Sequence, residues 1–248
     1  MSSPARRRIL LSVTGYEPTL WKDLLSAEHD VVTEPDSADD PSIDYAVVWK
    51  HPHGVLSRLP NLKAILSLGA GVDHIFTDPG LPDVPVARVV AGNLTQHMVE
   101  YVVWRVLDHH RQGSVYRAQQ VEKIWDEPAQ PSAPEVTVGI MGLGQLGRAA
   151  AKALLAVGFK LNGWTRNASD VEGVTSFHGE AGLAPFLAAT DILVVLLPHT
   201  PATEGIIDYQ LLRGLRRNNR LGGAVLINAG RGKLQKEADI LRALDDGT

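Results

Sequence analysis

The sequence predicts an α/β protein in which parallel strands alternate with helices. Short apolar runs bounded by proline, glycine and aspartate alternate with amphipathic segments along the chain. One run, which begins at Val136, ends in a glycine-rich turn that leads directly into an alanine-rich helical segment. Another run, Asp191–Leu197, is almost continuously apolar, as expected for a parallel strand that is covered on both faces.

The first part of the chain contains several candidate strands and one candidate helix. The helix is Glu17–Glu28, with Pro18 in a place that suits a first turn. Arg6, Arg7 and Arg8 are interpreted as a solvated lead-in to the first strand, because the apolar run after them is too short for a signal peptide. The candidate strands are Ile9–Val13, Tyr45–Trp49, Ala64–Leu68 and Val86–Val90.

The longest candidate helix is Asn93–Gln112. Asn93 and Gln96 have the spacing of a capping box at its start. Apolar residues cover most of its circumference, so the helix needs burial on several sides, either at a subunit interface or between domains. A later segment, Trp125–Glu135, contains three prolines and is predicted to be a loop.

The alternation of strands and helices continues after Val136. This part of the chain has the order expected of a second parallel sheet. Its predicted helices are Arg148–Val157, Leu183–Ala189, Leu211–Leu215 and Glu237–Asp246. Its later predicted strands are Phe159–Trp164, Asp191–Leu197 and Ala224–Asn228.

Composition restricts the classes of function. The net charge of -4 provides no electrostatic attraction to nucleic acid or to an anionic membrane. The sequence contains no cysteine, which excludes disulfides, thiolate catalysis and cysteine-ligated metals within it. No segment approaches about 18 uninterrupted apolar residues, so no membrane span is predicted and a cytoplasmic location is expected.

The glycine-rich turn has the pattern G-x-G-x-x-G, formed by Gly142, Gly144 and Gly147. Between a strand and a helix, the first glycine allows a tight turn and the second lets the backbone approach a pyrophosphate. The third allows the helix to pack closely on the strand. The helix N-terminus adds free N–H groups and the positive end of its dipole. This context favours a dinucleotide site over a purely structural turn.

The residue that follows the next strand indicates which dinucleotide binds. An acidic side chain there would accept the ribose 2′-hydroxyl of NAD, whereas an arginine suits the 2′-phosphate of NADP. Arg166 occupies this place, and Thr165 beside it offers a hydroxyl. A guanidinium can hold a phosphate through two parallel charge-assisted bonds. NADP is therefore the predicted coenzyme, although a surface arginine without a ligand is the alternative.

Further candidate sites follow other predicted strands. Leu68–His74 contains two closely spaced glycines whose backbone N–H groups suit a small carboxylate, and a plain strand-to-helix turn is an equal alternative. Arg231 lies just beyond Ala224–Asn228, at the edge where ligands bind in open α/β sheets, and Leu196–Thr203 ends the preceding strand at the same edge. The guanidinium of Arg231 can grip a carboxylate and polarise a carbonyl.

Together these motifs resemble the D-isomer-specific 2-hydroxyacid dehydrogenases. The most similar branch is the glyoxylate/hydroxypyruvate reductase A group. The resemblance implies two domains with the active site in the cleft between them: a flavodoxin-like substrate domain over residues 1–92 and a Rossmann-type, doubly wound nucleotide domain over residues 93–248. The segments that carry it are Val47–Trp49, Gly69–Asp73, Gly142–Gly147, Trp164–Arg166, Leu197–Thr203, Gly205–Ile207 and Asn228–Gly232.

The resemblance also implies roles for individual residues. Arg231 would bind the substrate carboxylate and the reacting oxygen. Trp49 would shape the substrate pocket, with simple packing at a strand end as an equal alternative. The backbone of Ala70, Gly71 and Val72 would bind the substrate carboxylate. The cofactor positions would be Gly142, Leu143, Gly144, Gln145, Leu146, Gly147, Thr165, Arg166, Leu197, Pro198, Thr203, Asn228, Ala229 and Arg231.

The family's proton donor is expected to lie outside this sequence. That donor is a histidine held by a glutamate, and both follow the arginine at some distance, so the sequence is interpreted as a fragment. Among the histidines present, His199 lies nearest the cofactor side, where a spectator role is favoured over an acid–base role. His51 and His53 are interpreted as solvated loop residues. No metal site is predicted, because no histidine pair has ligand spacing backed by a carboxylate.

The sequence therefore predicts an NADPH-preferring reductase of small 2-oxo acids, glyoxylate or hydroxypyruvate, with NAD as the alternative coenzyme. A cytoplasmic homodimer is expected, joined through the Asn93–Gln112 helix and the nucleotide domain. No nucleic-acid or membrane partner is expected. The alternative class is a non-catalytic dinucleotide- or partner-binding protein of the same fold.

Overall fold

The structure, a computed structural model, describes residues 6–33 and 40–248. The chain divides into two compact units, Met1–Ala91 and Gly92–Thr248, which we call unit 1 and unit 2. Both are α/β structures with a parallel sheet, so the predicted fold class is confirmed. In the part of the chain that the structure describes, no helix is long and apolar enough to cross a membrane.

Unit 1 is built on a parallel sheet. The described strands have the order β2-β1-β3-β4-β5, which is the order of flavodoxin-like sheets. Helix α1 (Thr19–Ser26) follows the first strand, and α2 (Asp73–Phe76) is a single turn after the fourth. The strands are β1 (Arg8–Val13), β2 (Asp30–Val32), β3 (Ile43–Trp49), β4 (Ala64–Ser67) and β5 (Val86–Arg88).

Unit 2, which is described throughout, begins with two helices and continues as a second parallel sheet. Its strands have the order β8-β7-β6-β9-β10, so the third, second, first, fourth and fifth strands of the unit lie side by side, as in the Rossmann arrangement. The strands are β6 (Thr137–Met141), β7 (Lys160–Thr165), β8 (Val174–His178), β9 (Ile192–Val195) and β10 (Val225–Asn228). The helices are α3 (Gly92–His110), α4 (Gly113–Glu122), α5 (Gln145–Val157), α6 (Gly179–Ala188), α7 (Tyr209–Gly214) and α8 (Glu237–Asp245).

The two central strands of unit 2, β6 and β9, are buried along their whole length. Helices α3 and α5 cover one face of this sheet, where Val102, Val106, Ala150 and Leu154 are buried. Helices α6, α7 and α8 contribute to the apolar cluster on the other face. Coverage of both faces explains why the strand predicted at 191–197 is almost uniformly apolar.

An ion pair secures the amino-terminal edge of this sheet. The Asp191 carboxylate is almost fully buried just before β9, and it accepts a hydrogen bond from the Thr137 amide at 2.8 Å. The Arg216 guanidinium donates to both Asp191 oxygens, at 2.6 and 2.5 Å. A buried carboxylate needs such partners. This edge is structural, and the opposite edge remains available for ligands.

Some predicted elements were wrong in detail. The capping box at Asn93 and Gln96 does not form, because α3 already begins at Gly92. The Asn93 side chain instead accepts from the Leu94 amide, and Gln96 donates to Glu100. The predicted loop over residues 125–135 ends in one 3-10 turn, Ala133–Glu135, which the Ser132 hydroxyl and the Glu135 carboxylate cap reciprocally.

Candidate functional site

The carboxyl-terminal edge of the unit 2 sheet gathers the sequence motifs predicted to bind a cofactor. Because all strands of this sheet are parallel, the segments that follow them emerge at the same edge. The strand order reverses between β6 and β9, and ligands of open α/β sheets bind at this switch point. The segments that follow strands at this edge are 142–147, 165–166, 196–203 and 228–231.

The turn after β6 is shaped by its glycines. Gly142 has φ +101°, a backbone conformation that side-chain-bearing residues rarely adopt, and its amide donates to the Trp164 carbonyl at 2.9 Å. A Cβ at Gly147 would overlap the Gly142 carbonyl oxygen, so the helix can lie this close to the turn only without a side chain there. A Cβ at Gly144 would meet no protein atom within 4 Å. The turn is thus tight on its inner side and open at Gly144.

Helix α5 begins at this turn without a side-chain cap. Gly144 is its N-cap, and the first turn contains no acidic residue. The first amide bonded back into the turn is that of Arg148, to the Gly144 carbonyl at 2.9 Å. The preceding amides, of Gln145, Leu146 and Gly147, are the ones that a helix leaves for an external acceptor. Free amides, the helix dipole and the opening at Gly144 fit a pyrophosphate.

Leu143 contributes to this turn through its backbone. Its side chain is buried in the core of unit 2, in contact with the position where a Cβ of Gly163 would lie. The side chain therefore anchors the turn to β7, and contact with a cofactor is left to the peptide groups.

Thr165 and Arg166 lie at the end of β7, on the same edge. The Arg166 side chain is exposed. The Thr165 hydroxyl donates to the Asn167 carbonyl at 2.6 Å, so its hydrogen is already used and its lone pairs remain. Arg166 is therefore the better candidate for a phosphate, because its guanidinium carries several donors.

The loop after β9 is held by internal hydrogen bonds. The Thr203 hydroxyl donates to the Pro198 carbonyl at 2.7 Å and accepts from the Thr200 amide at 2.8 Å. Leu197 is buried. The His199 Nε2 lies 3.2 Å from a carboxylate oxygen of Glu204. Thr203 therefore closes this loop, so its hydroxyl has a structural role in addition to the predicted role in cofactor binding.

The turn after β10 presents Arg231 at the sheet edge. The Asn228 side chain closes this turn: its oxygen accepts from the Gly230 amide at 3.1 Å and its nitrogen donates to the Arg231 carbonyl at 3.0 Å. The Ala229 amide donates to the Val195 carbonyl at 3.0 Å, which ties the turn to β9. Arg231 is exposed, and Nη1 donates to the Gly230 carbonyl at 3.1 Å. A guanidinium in this place can attract a carboxylate.

In unit 1, Trp49 and the loop at 69–73 lie together. A Cβ at Gly69 would overlap the Trp49 ring, so this glycine makes room for the indole. The Trp49 ring also approaches Tyr16 and His74, with ring centroids 6.3 and 4.9 Å away. Its Nε1 is buried and has no hydrogen-bond partner within the described residues. An indole N–H of this kind is a donor that a ligand can use.

The loop beside Trp49 exposes backbone donors. Among the described residues, no acceptor is found for the amides of Ala70, Gly71 and Val72, which are all partly exposed. The Ser67 hydroxyl holds the loop: it accepts from the Gly69 amide and donates to the Gly71 carbonyl, both at 3.2 Å. Successive free amides form a site that suits a small carboxylate.

His51 was interpreted as a solvated loop residue, and this was wrong. Its side chain is fully buried, and Nε2 lies 3.3 Å from a carboxylate oxygen of Asp78, which is also buried. Asp78 accepts from the amides of Gly54 and Gly80 as well. The pKa of His51 lies below its ordinary value: burial is the largest cause and lowers it, whereas Asp78 raises it. The partner lies 27 residues further on, a separation that no local pattern signals.

No group of three or more metal-ligating side chains occurs within residues 6–33 and 40–248. At the ligand edge of unit 2, the candidate groups are the peptide amides of the glycine turn and the guanidinium groups of Arg166 and Arg231. Such an arrangement holds anions and polarises carbonyl groups.

Comparison with known proteins agrees with this geometry. Residues 103–248 match the family model of the D-isomer specific 2-hydroxyacid dehydrogenase, NAD binding domain. Over 216 residues the chain is 39% identical to glyoxylate/hydroxypyruvate reductase A of Yersinia enterocolitica, covering 84% of this chain and 67% of that protein.

Solved structures are similar over almost the whole chain. One is the NADPH-dependent glyoxylate/hydroxypyruvate reductase of Sinorhizobium meliloti in complex with NADP and sulfate. It is 44% identical with a TM-score of 0.89, and the match covers 98% of this chain and 78% of that one. A probable 2-hydroxyacid dehydrogenase of Rhizobium etli, bound to NADP, HEPES and L(+)-tartaric acid, is 42% identical with a TM-score of 0.90. That match covers 97% of this chain and 78% of the other.

Proposed function

Because this chain belongs to the D-isomer specific 2-hydroxyacid dehydrogenase family, we propose that it is an NADPH-preferring reductase of glyoxylate or hydroxypyruvate. The observation that carries the proposal is the edge of the unit 2 sheet, where the open turn at Gly144 and the exposed Arg166 follow neighbouring strands. Relatives at 39% and 44% identity that are named for this activity support it.

The proposed reaction reduces the 2-oxo acid to a D-2-hydroxy acid. When bound, NADPH supplies a hydride to the carbonyl carbon and becomes NADP⁺, while the carbonyl oxygen takes up a proton derived from solvent. Arg231 would hold the carboxylate and polarise the carbonyl, because a guanidinium stabilises negative charge that develops on the oxygen. The amides at 70–72 would bind the substrate carboxylate, and Trp49 would form a wall of the substrate pocket.

Coenzyme choice tests the proposed role of Arg166. The substitution Arg166→Asp removes an attraction to the 2′-phosphate and adds a repulsion, so NADPH affinity should fall by about a hundredfold. NADH affinity should change little, because NADH has no phosphate at that position. Titration of both coenzymes into the wild type and the variant measures the change. An unaltered preference would mean that another residue recognises the phosphate.

Turnover tests the substrate class and the role of Arg231. The purified full chain is assayed for NADPH oxidation with glyoxylate, hydroxypyruvate and pyruvate. Arg231→Ala should lower kcat/KM by at least about a hundredfold, because the charged contact to the reacting acid is lost. Arg213→Ala, on α7 away from the ligand edge, is the matched control. Failure to turn over any of the three acids would reject the proposed substrates.

We also propose a homodimer that forms through α3 and α4. Large apolar side chains of α3, α4 and the segment that follows α4 are exposed in the single chain, among them Trp104 of α3 at 58% and Trp125, just after α4, at 93%. Exposed large apolar side chains, aromatic ones above all, are enriched at interfaces between subunits. Light scattering should give a dimer for the wild type and a monomer for Trp104→Glu. A monomeric wild type at micromolar concentration would reject this assembly.

The proposed location is the cytoplasm, where NADPH is available to a reductase. Fractionation of cells should recover the protein with cytoplasmic marker enzymes. Recovery with a periplasmic or membrane marker would reject the location without affecting the proposed chemistry.

A further inference from the structure

Arg148, the fourth residue of α5, joins the glycine turn to the loop that follows β7. Its Nε donates to the Leu143 carbonyl at 3.0 Å. The two terminal nitrogens donate to the Asp170 carbonyl at 3.0 Å and to the Ser169 hydroxyl at 2.7 Å. The three nitrogens of one planar guanidinium thus donate to acceptors on two separate segments, a geometry that the ammonium of lysine cannot reproduce.

The loop that Arg148 holds also contains Arg166. At its start, the Thr165 hydroxyl is bonded to the Asn167 carbonyl at 2.6 Å. At 169–170 the fork of Arg148 ties the same loop to the glycine turn. No hydrogen bond or ion pair of the Arg166 side chain is found among the described residues. The position of Arg166 therefore depends on the hydrogen bonds that hold the loop on either side of it, those of Thr165 and of Arg148.

We propose that Arg148 is a positioning residue for coenzyme choice. It sets the distance between the turn that binds the pyrophosphate and the loop from which Arg166 binds the 2′-phosphate. The proposal rests on the proposed function and deepens it. Charge-assisted hydrogen bonds weaken steeply as their distance and angle change, so a displaced loop would cost NADPH more than NADH.

Stability is a poor explanation for this contact. Arg148 is exposed, and interactions of exposed charged side chains contribute little to the folding free energy. Variants of Arg148 are therefore expected to fold. A role in positioning predicts a change in the ratio of the two coenzyme affinities, which a purely structural role would leave unchanged.

The experiment measures the dissociation constants of NADPH and NADH for the full chain and its variants. Arg148→Lys keeps the positive charge but loses the planar guanidinium with its three donor nitrogens, whereas Arg148→Gln loses both the charge and the guanidinium. Both should lower the preference for NADPH by about threefold to tenfold. Ser169→Ala removes only one partner and should give a smaller loss in the same direction. Lys152→Gln, which removes an exposed charge from the same helix, is the matched control and should have no effect.

A double-mutant cycle then shows whether Arg148 acts through Arg166. In the background of Arg166→Gln, the substitution Arg148→Lys should not lower the preference further. Full additivity of the two changes would mean that Arg148 acts independently of Arg166 and would overturn the proposal. A preference that survives in Arg148→Lys but not in Arg148→Gln would also overturn it, because charge alone would then suffice.

The two proposals fail in different ways. A wild-type chain without preference for NADPH would reject the proposed coenzyme, and the role of Arg148 with it. A wild type that prefers NADPH, together with Arg148 and Ser169 variants that retain the full preference, would reject only the role of Arg148.

Discussion

The glycine-containing loop after β6 in unit 2 and the one after β4 in unit 1 both follow strands, but their glycines serve different purposes. In unit 2 the turn over 142–147 is held by its own backbone: Gly142 has a positive φ, and Gly147 lies against the Gly142 carbonyl. In unit 1 Gly69 does not have a positive φ, and the group that a Cβ would meet is the Trp49 ring. The first loop leads into a helix of 13 residues and the second into a helix of four.

The difference shows that a glycine in a motif can be required by backbone shape or by a neighbouring side chain. A neighbouring side chain can be replaced or can move, whereas an overlap with backbone cannot be relieved without opening the turn. The same substitution, glycine to alanine, should therefore have different consequences at Gly147, Gly144 and Gly69.

The largest effect is expected for Gly147→Ala. Its Cβ would overlap a backbone oxygen, so the turn must open and α5 must shift. The free energy of unfolding should fall by about 3 kcal/mol, and NADPH binding should be lost. Urea denaturation and coenzyme titration measure the two effects. Wild-type stability in this variant would show that the turn is looser than described.

Gly144→Ala should separate binding from stability. Its Cβ would point into open space and its φ of -73° suits alanine, so the free energy of unfolding should stay within about 0.5 kcal/mol of the wild type. NADPH affinity should fall by about tenfold or more, because the Cβ would occupy the space meant for the pyrophosphate. Retention of full NADPH affinity would place the pyrophosphate elsewhere.

Gly69→Ala should have a moderate effect that depends on Trp49. The added Cβ would press on the indole, and the variant should lose about 1–2 kcal/mol of stability. In the background of Trp49→Ala the same substitution should cost less by about 1 kcal/mol, because the obstacle is gone. Equal costs in both backgrounds would mean that Gly69 has a backbone role, as in the other loop.

The smallest expected effect is a loss of stability at acidic pH, which involves the His51–Asp78 pair of unit 1. Burial lowers the pKa of His51 below its ordinary value of 6.5, so the unfolded chain takes up a proton more readily than the folded one. Burial raises the pKa of Asp78, but its hydrogen bonds from Gly80, Gly54 and His51 outweigh burial and lower it overall. Stability that depends on His51 is present above its ordinary pKa and is lost as the pH falls below it. The loss linked to Asp78 follows only below its ordinary pKa of 3.8.

Denaturation at pH 7.5 and at pH about 5.5 measures this loss. His51→Gln keeps an amide that can donate to Asp78 and has no proton to gain, so its stability should vary less over this interval. His97→Gln, at an exposed position of α3, is the control, and it should behave as the wild type. If the stability of His51→Gln falls as much as that of the wild type between these pH values, another group causes the loss.

The sequence predicted the main elements of unit 2 because their signals are local. The apolar strands, the glycine turn and the helix after it each follow from neighbouring residues. Strand β8 was missed because it is an edge strand with a mixed sequence, and α4 was missed because none of its residues is buried. Helix α6 begins four residues before the predicted Leu183, since its first turn carries no apolar pattern.

Residues of the candidate site could be predicted where they belong to one local motif. Contacts between residues that are distant in the sequence could not be predicted. Arg166 and Arg231 follow strands directly, and the structure places both at the sheet edge. The contact of Arg148 with Ser169 and the pairing of His51 with Asp78 each join segments more than 20 residues apart. Such pairs leave no local pattern in the sequence, because they depend on how the loops pack.

Calorimetric titration of the wild-type chain with NADPH, and separately with NADH, is the decisive test of the proposed coenzyme site. We expect saturable binding of NADPH at a single site per chain, with NADH bound more weakly. Absence of heat with NADPH, or equal affinities for the two coenzymes, would contradict it.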